Sequence, residues 1–318
     1  MAIEKFERKS RTIAMPSLRQ LRFLCALADE LHFGRAAAAC HVTQSTLSSG
    51  LKDLEATLGV TLAERGHRHV ILTPIGEEIT DRSRSLLAGA QDIVKLAARH
   101  TGLLTGDLRL GAIPTIGPYL IPAALAGLRQ SHPDLRLYLR EELTESLLEG
   151  VRTGRLDAAL IALPFETGEL ETVHLFDDGY QLAAPRGHDL DVARALDGRE
   201  LAEHSLLLLE RGHCLQGHAL QAIPEVSPPA DNTFAATSLS TLLAMVQEGI
   251  GLTLIPQLAV DAGIVGAHDV SLVPLNRTCP RHVVLAWRPT SPRRGDFEAL
   301  SQVFSKARAD VARRGTPT

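Results

Sequence analysis

The run Phe33 to Glu55, FGRAAAACHVTQSTLSSGLKDLE, constrains this chain more than any other stretch. Phe33, Ala36, Ala37 and Cys40 fall at helical spacing and give a first short helix one apolar face. Thr43 is a side-chain cap for a second helix from about Gln44 to Leu58, in which Leu47, Leu51, Leu54 and Leu58 recur every three or four residues. Turning those leucines inward leaves Gln44, Ser45, Thr46, Ser48, Ser49 and Lys52 towards the outside. Such a face carries hydroxyls and an amide for base edges and a cation for phosphate, which is what a major-groove reader needs. An ordinary amphipathic helix pair would show the same leucines, so the flanks matter.

Upstream, SLRQLRFLCALADELHF places Leu18, Leu21, Leu24, Cys25 and Ala28 on one stripe and predicts a third helix over the pair. Downstream, two short apolar runs between Val60 and Thr73 flank Gly66 and predict a hairpin wing carrying Arg65, His67, Arg68 and His69. Gly50 lies inside the second helix, where glycine costs about 1 kcal/mol relative to alanine. It either shortens a side chain beside DNA or loosens the helix. In this order of elements, and in the run TQSTLSSGLKDLE, the chain resembles the LysR-type transcriptional regulators.

Charge agrees with a nucleic-acid head on another body. Residues 1–73 carry ten Lys or Arg against seven Asp or Glu, a net of +3, whereas residues 107–318 carry nineteen against twenty-six, a net of -7. The first fifteen residues are mixed in charge and lack the apolar core of a secretory signal, and no run is apolar enough for a membrane span. These features point to a cytoplasmic protein with no membrane partner. Cys25, Cys40, Cys214 and Cys279 show no CxxC spacing; the first two sit on apolar helix faces and read as small core residues.

Thr73 and Pro74 form a helix start, and nothing breaks the helix before about Arg99. Ile75, Ile79, Leu86, Leu87, Ile93, Val94 and Leu96 give it an apolar side that needs a partner copy, and His100 to Gly106 reads as a hinge. From Asp107 on, apolar strands alternate with amphipathic helices, which predicts a parallel sheet covered on both faces. Two such units joined by crossing strands resemble the periplasmic-binding-protein-like effector domain of the family. The expected fold is therefore α/β: a winged helix-turn-helix at 16–73, a linker (dimerisation) helix at 74–101, a hinge at 102–106 and an effector domain at 107–306. Within the last, subdomain I takes 107–177 and 283–306, and subdomain II takes 178–282.

In LLLLERGHCLQGHALQ, a strand ends at Leu209, the chain turns at Gly212, and His213 and Cys214 open a helix. A thiol at a helix amino end tends to a lowered pKa, whereas the bland alternative is a buried cysteine packing like alanine. GHCL at Gly212 to Leu215, IPTIGPYL at Ile113 to Leu120, HFGRAAAACHVTQSTLS at His32 to Ser48, TSL at Thr237 to Leu239, and Arg288 with Pro289 resemble the peroxide-sensing, OxyR-type branch of the family. That resemblance implies a peroxidatic Cys214 beside His213, with Thr115 and Thr144 as peroxide-holding hydroxyls and Arg281 as a nearby cation. It also departs in two places. The resolving cysteine nine residues on is here Ile223, and an acidic residue three after the sensing cysteine is here Gly217.

The resemblance implies a tetrameric activator in oxidative stress that binds double-stranded operator DNA as a homodimer or homotetramer. RNA polymerase is an expected further partner, and peroxide or a small organic effector an expected ligand, with no cofactor and no metal. The alternatives are a regulator that binds a small organic acid in the same cleft, which Ile223 and Gly217 favour, and a thiol peroxidase or cysteine hydrolase built around Cys214. The latter leaves residues 17–100 unexplained. His218, four residues after Cys214, could share its helix face and hold a soft metal, but two or three ligands make a weak set. GIGLTLIP at Gly249 to Pro256 lacks phosphate-loop spacing and predicts a helix stop followed by a strand.

Overall fold

In the computed structural model the described residues are 15–65, 70–98, 102–190, 194–201, 204, 206–210, 215, 217–218, 222, 235–276 and 278–315. They divide into two compact units, up to Gln91 and from Asp92.

The first unit opens with α1 (Leu18–Glu30), α2 (Phe33–Ala39) and α3 (Gln44–Leu58), followed by an antiparallel hairpin of β1 (Ala63–Arg65) and β2 (Val70–Leu72). Each helix start has a chemical cause. Ser17 and Gln20 form a capping box on α1, the Thr43 hydroxyl accepts from the Thr46 N–H at 3.3 Å, and His32 Nδ1 accepts from the Gly34 and Arg35 N–H groups ahead of α2. Leu21, Phe23, Leu24 and Leu27 of α1 pack with Ala36, Ala37, Cys40, Leu47, Leu51 and Leu54. Leu18, expected on that stripe, is exposed, because the first turn of α1 begins beyond the core. Gly50 faces α1 and not the outer, DNA-facing side of α3. A Cβ there would lie 2.7 Å from the Phe23 ring, so glycine lets α1 and α3 approach closely.

Helix α4 (Pro74–Ala98) starts where the Thr73 hydroxyl accepts from the Gly76 N–H at 3.0 Å. Ile75, Leu86, Ile93 and Val94 are exposed along it.

The second unit holds two five-stranded sheets, each with its own core. The first contains β3 (Gly106–Ala112), β4 (Leu135–Glu141), β5 (Ala158–Leu163), β6 (Glu171–Asp178) and β12 (Arg281–Trp287), in the order β4-β3-β5-β12-β6. Helices α5 (Gly117–Ser131), α6 (Thr144–Arg152) and the closing α9 (Arg294–Gly315) belong with it. The second sheet is β7 (Tyr180–Pro185), β8 (Leu206–Leu209), β9 (Ala235–Ala236), β10 (Leu252–Pro256) and β11 (Val270–Pro274), in the order β11-β7-β10-β8-β9. Between them in sequence lie α7 (Leu239–Gln247) and the short α8 (Gln257–Asp261).

The sheets are mixed, not parallel throughout. β3 runs parallel to β4 and β5, but β12 is antiparallel to β5 and β6, and β7 is antiparallel to β10 and β11. The antiparallel strands are the ones next to the crossings: β6 passes into β7 through Gly179, and β12 returns from the second sheet to the first. The expected stop at Gly249 holds, with φ +74° there and β10 directly after.

A buried arginine fastens the start of this unit. Arg288 makes a two-pronged pair with Asp92 at 3.0 and 3.1 Å and donates to the Val151 carbonyl at 2.6 Å.

Candidate functional site

Two surfaces carry the residues singled out from the sequence. On α3, Gln44, Ser45, Ser49 and Lys52 are exposed, Thr46 and Ser48 are half-buried, and Leu47, Leu51 and Leu54 face the core. Ser45 and Thr46 are partly occupied, since their hydroxyls lie 2.9 and 2.8 Å from the capping Thr43 hydroxyl. Gln44, Ser49 and Lys52 are exposed and take no part in that cap. Arg65 ends β1, and Arg68 lies outside the described residues.

The second surface is a cleft of about 210 Å³ lined by Pro164, His218, Cys279, Pro280, Arg281 and His282. Arg281, the first residue of β12, is fully buried. Its Nη1 donates to the Thr115 hydroxyl at 2.8 Å and its Nη2 to the Thr115 carbonyl at 3.0 Å. Nε and Nη2 both donate to Asp178 Oδ2, at 3.1 and 2.8 Å. Asp178 Oδ1 in turn accepts from the Leu258 N–H at 2.8 Å. Thus Thr115 and Arg281 are brought together as expected, around a carboxylate that the sequence reading passed over.

This pair sits where the chain crosses between sheets. Asp178 is the last residue of β6 and Arg281 the first of β12, so one ion pair ties both crossings to the loop before α5 and to the amino end of α8. Its charges cancel locally. A ligand near Arg281 meets a neutralised cation and the Thr115 hydroxyl, whose oxygen accepts from the guanidinium and whose proton has no acceptor among the described residues.

Other polar atoms near these elements are also unsatisfied. Thr144 is buried at the start of α6, and its hydroxyl has no hydrogen-bond partner among the described residues. His218 is buried, with Nε2 2.9 Å from the Pro164 carbonyl, which can only accept. Nε2 therefore carries the proton, and Nδ1, without a partner among the described residues, bears the lone pair. Burial lowers the pKa of this imidazole and holds it neutral, and the nearby Arg281 charge acts the same way. Tyr119 packs against both cores, and burial, aided by Glu141, pushes its phenol up to about 12.

Cys214, His213 and Ile223 lie outside the described residues. Cys279 is exposed on the cleft, and its N–H reaches the Ala222 carbonyl at 3.4 Å. Cys25 and Cys40 are buried as expected, and burial pushes the Cys25 thiol up to about 11.

Comparison with known proteins gives this layout a family. Residues 18–77 match the bacterial regulatory helix-turn-helix model of the lysR family, and residues 101–309 match the LysR substrate binding domain. The HTH-type transcriptional regulator EstR of Acinetobacter baylyi is 39% identical over 94% of this chain and 99% of its own. The dual regulator OxyR of Escherichia coli is 38% identical over 92% of this chain and 96% of its own. Full-length OxyR of Pseudomonas aeruginosa, a solved variant, superposes with a TM-score of 0.74 at 38% identity, covering 92% of this chain and 98% of that one. Both halves of the sequence, the reading head and the two-sheet body, are matched in one order by full-length relatives; the chain belongs to the LysR family of DNA-binding transcriptional regulators, a family of transcription factors and not of enzymes.

Proposed function

We propose that this regulator senses peroxide, or a related thiol-oxidising signal, through Cys214. The observation that carries the reading is the Arg281–Asp178–Thr115 cluster. Arg281 is already committed to a buried carboxylate and so offers no free charge to an organic-acid effector. A small neutral molecule that both donates and accepts hydrogen bonds suits the Thr115 hydroxyl, and hydrogen peroxide is such a molecule. Two OxyR neighbours support the assignment, and the solved Corynebacterium glutamicum OxyR variant, 31% identical with a TM-score of 0.64, is H2O2-bound.

In the proposed chemistry the Cys214 thiolate, with His213 beside it in sequence, attacks one peroxide oxygen and the O–O bond breaks. The sulfur is oxidised by two electrons to sulfenic acid, and the departing hydroxide takes a proton and leaves as water. Thr115 and Thr144 hold the peroxide by hydrogen bonds, and the Arg281-polarised Thr115 hydroxyl stabilises the leaving oxygen. With Ile223 in the resolving position, no local thiol nine residues on traps the product. The signal then comes from the added oxygen or an external-thiol adduct.

The output is operator binding by Gln44, Ser45, Thr46, Ser48, Ser49 and Lys52 of α3 with Arg65 and Arg68 of the wing. We assign 16–73 to DNA binding, 74–101 to dimerisation, 102–106 to the hinge and 107–306 to sensing. Assembly is to a dimer or tetramer in the cytoplasm, with RNA polymerase as the downstream partner. The EstR relative at 39% identity favours one alternative, a small neutral organic effector in the same cleft. Footprinting separates the two: a peroxide-dependent change in the operator footprint that disappears in Cys214→Ser supports thiol sensing, and a change that persists in that variant rejects it.

A further inference from the structure

On the outer side of the strands that carry Arg281 and Asp178, three donor groups converge. His174 Nε2 lies 2.8 Å from Asp177 Oδ1, His282 Nδ1 lies 2.7 Å from the same oxygen, and all three donor atoms fall within 4.8 Å of one another. We propose that His174, Asp177 and His282 form a binding site for a borderline divalent transition metal of the Zn²⁺ or Ni²⁺ class.

The backbone builds this cluster. In a regular strand, residues three apart point to opposite faces, so His174 and Asp177 would be separated. Pairing of β6 with β12 skips one residue: Phe176 opposes Val283, but His174 opposes Val284. The resulting bulge leaves Leu175 buried and turns both His174 and Asp177 to solvent, directly beside His282, which opposes Asp177.

The donor set selects the ion. Two imidazoles and one carboxylate are borderline ligands that suit zinc or nickel, whereas calcium and magnesium need more oxygen atoms than one carboxylate offers. Ligands at ordinary metal distances sit roughly 3.0–3.3 Å apart in octahedral or tetrahedral geometry. The 2.7 and 2.8 Å separations from the carboxylate oxygen need to open by a few tenths of an ångström, and the two ring nitrogens, within 4.8 Å of each other, need to settle at that spacing, which exposed side chains can do by rotation. In the metal-free form the two imidazoles share the Asp177 carboxylate, and their hydrogen bonds, that from His282 first, hold it below its usual pKa. Binding moves each ring's N–H to the other nitrogen, where solvent accepts it, and frees a lone pair for the ion. Three protein ligands leave open coordination positions. An ion there staples β6 to β12 one residue from the Asp178–Arg281 pair.

The test is calorimetric titration of the tag-free full-length chain with Ni²⁺ and, separately, Zn²⁺, repeated on His174→Ala, Asp177→Asn, His282→Ala and Cys279→Ser. The expected result is one equivalent per protomer, weakened by about tenfold or more in each of the first three variants and unchanged in Cys279→Ser, since even outer-shell partners of a metal act on that scale. Because the three side chains are exposed, their loss leaves the fold intact, and an unchanged thermal transition in metal-free buffer checks this. Absence of binding, equal binding by the His174→Ala/His282→Ala double variant, or loss of binding in Cys279→Ser would each overturn the site.

Discussion

Asp178→Asn removes the buried carboxylate that pairs with Arg281 while keeping nearly the same shape, and so leaves the guanidinium charge without that partner in a place with no exposed surface. Breaking a buried pair by deleting one partner costs about 3–5 kcal/mol, because the remaining charge keeps its desolvation penalty. Asparagine retains an acceptor for the Leu258 N–H, so the loss falls on the ion pair and not on the amino end of α8. For a unit of this size unfolding in urea with a slope of roughly 2–3 kcal/mol/M, the midpoint should drop by about 1–2.5 M. The assay is urea unfolding of the full chain followed by Trp287, the single tryptophan, which lies on β12 in the same core as the first sheet. The double replacement Asp178→Leu/Arg281→Met should recover much of the loss, since a buried pair often exchanges for apolar residues at little cost. A midpoint within about 0.2 M of wild type for Asp178→Asn would show that Arg281 is solvated or paired elsewhere, and would remove the argument that its charge is unavailable to an anionic effector.

Gly50→Ala should destabilise the first unit: overpacking against Phe23 costs about 1–3 kcal/mol, and the helix gain of about 1 kcal/mol offsets only part of it; far-ultraviolet circular dichroism of melting reads the difference. Lys52→Ala should weaken binding to all DNA sequences alike and reduce the salt slope by about one, while Gln44→Ala should relax base preference, both measured by fluorescence anisotropy against salt and operator variants. Cys25, with its thiol raised to about 11, is neutral at pH 7 and deprotonates only as pH rises towards that value, so its alkylation rate should climb about tenfold per pH unit from pH 7 to 10 without levelling; peptide mass spectrometry follows it, and a plateau below pH 9 would contradict the burial argument.

The helices of the reading head were legible because their signals are local. Thr43 caps α3, its leucines repeat at helical spacing, and the observed Gln44–Leu58 follows. What Gly50 does was not legible, since it depends on Phe23 in another helix. In the body, β6 and β11 carry weak local signals: a bulge breaks the alternation of ETVHLFDD, and VSLVP is short. The parallel-sheet expectation failed for a topological reason: strands that cross between sheets return antiparallel, which a local pattern of strand and helix does not reveal. Thr115 and Arg281 came from resemblance, and the structure joins them; Asp178 escaped notice because an aspartate after another at a strand end looks like an ordinary solvated charge. His218 was read for its spacing from Cys214, whereas its burial and its bond to the Pro164 carbonyl depend on a loop 54 residues away.

The central claim is that Cys214 is the peroxide-reactive thiol and that its product is not locally resolved. Treating the reduced full-length protein with equimolar hydrogen peroxide in the presence of a sulfenic-acid trap, then mapping peptides by mass spectrometry, tests it directly. The account predicts a trapped adduct on Cys214 that forms well before any on Cys25, Cys40 or Cys279, and no intramolecular disulfide; an unreactive Cys214, or a stoichiometric Cys214–Cys279 disulfide, would contradict it.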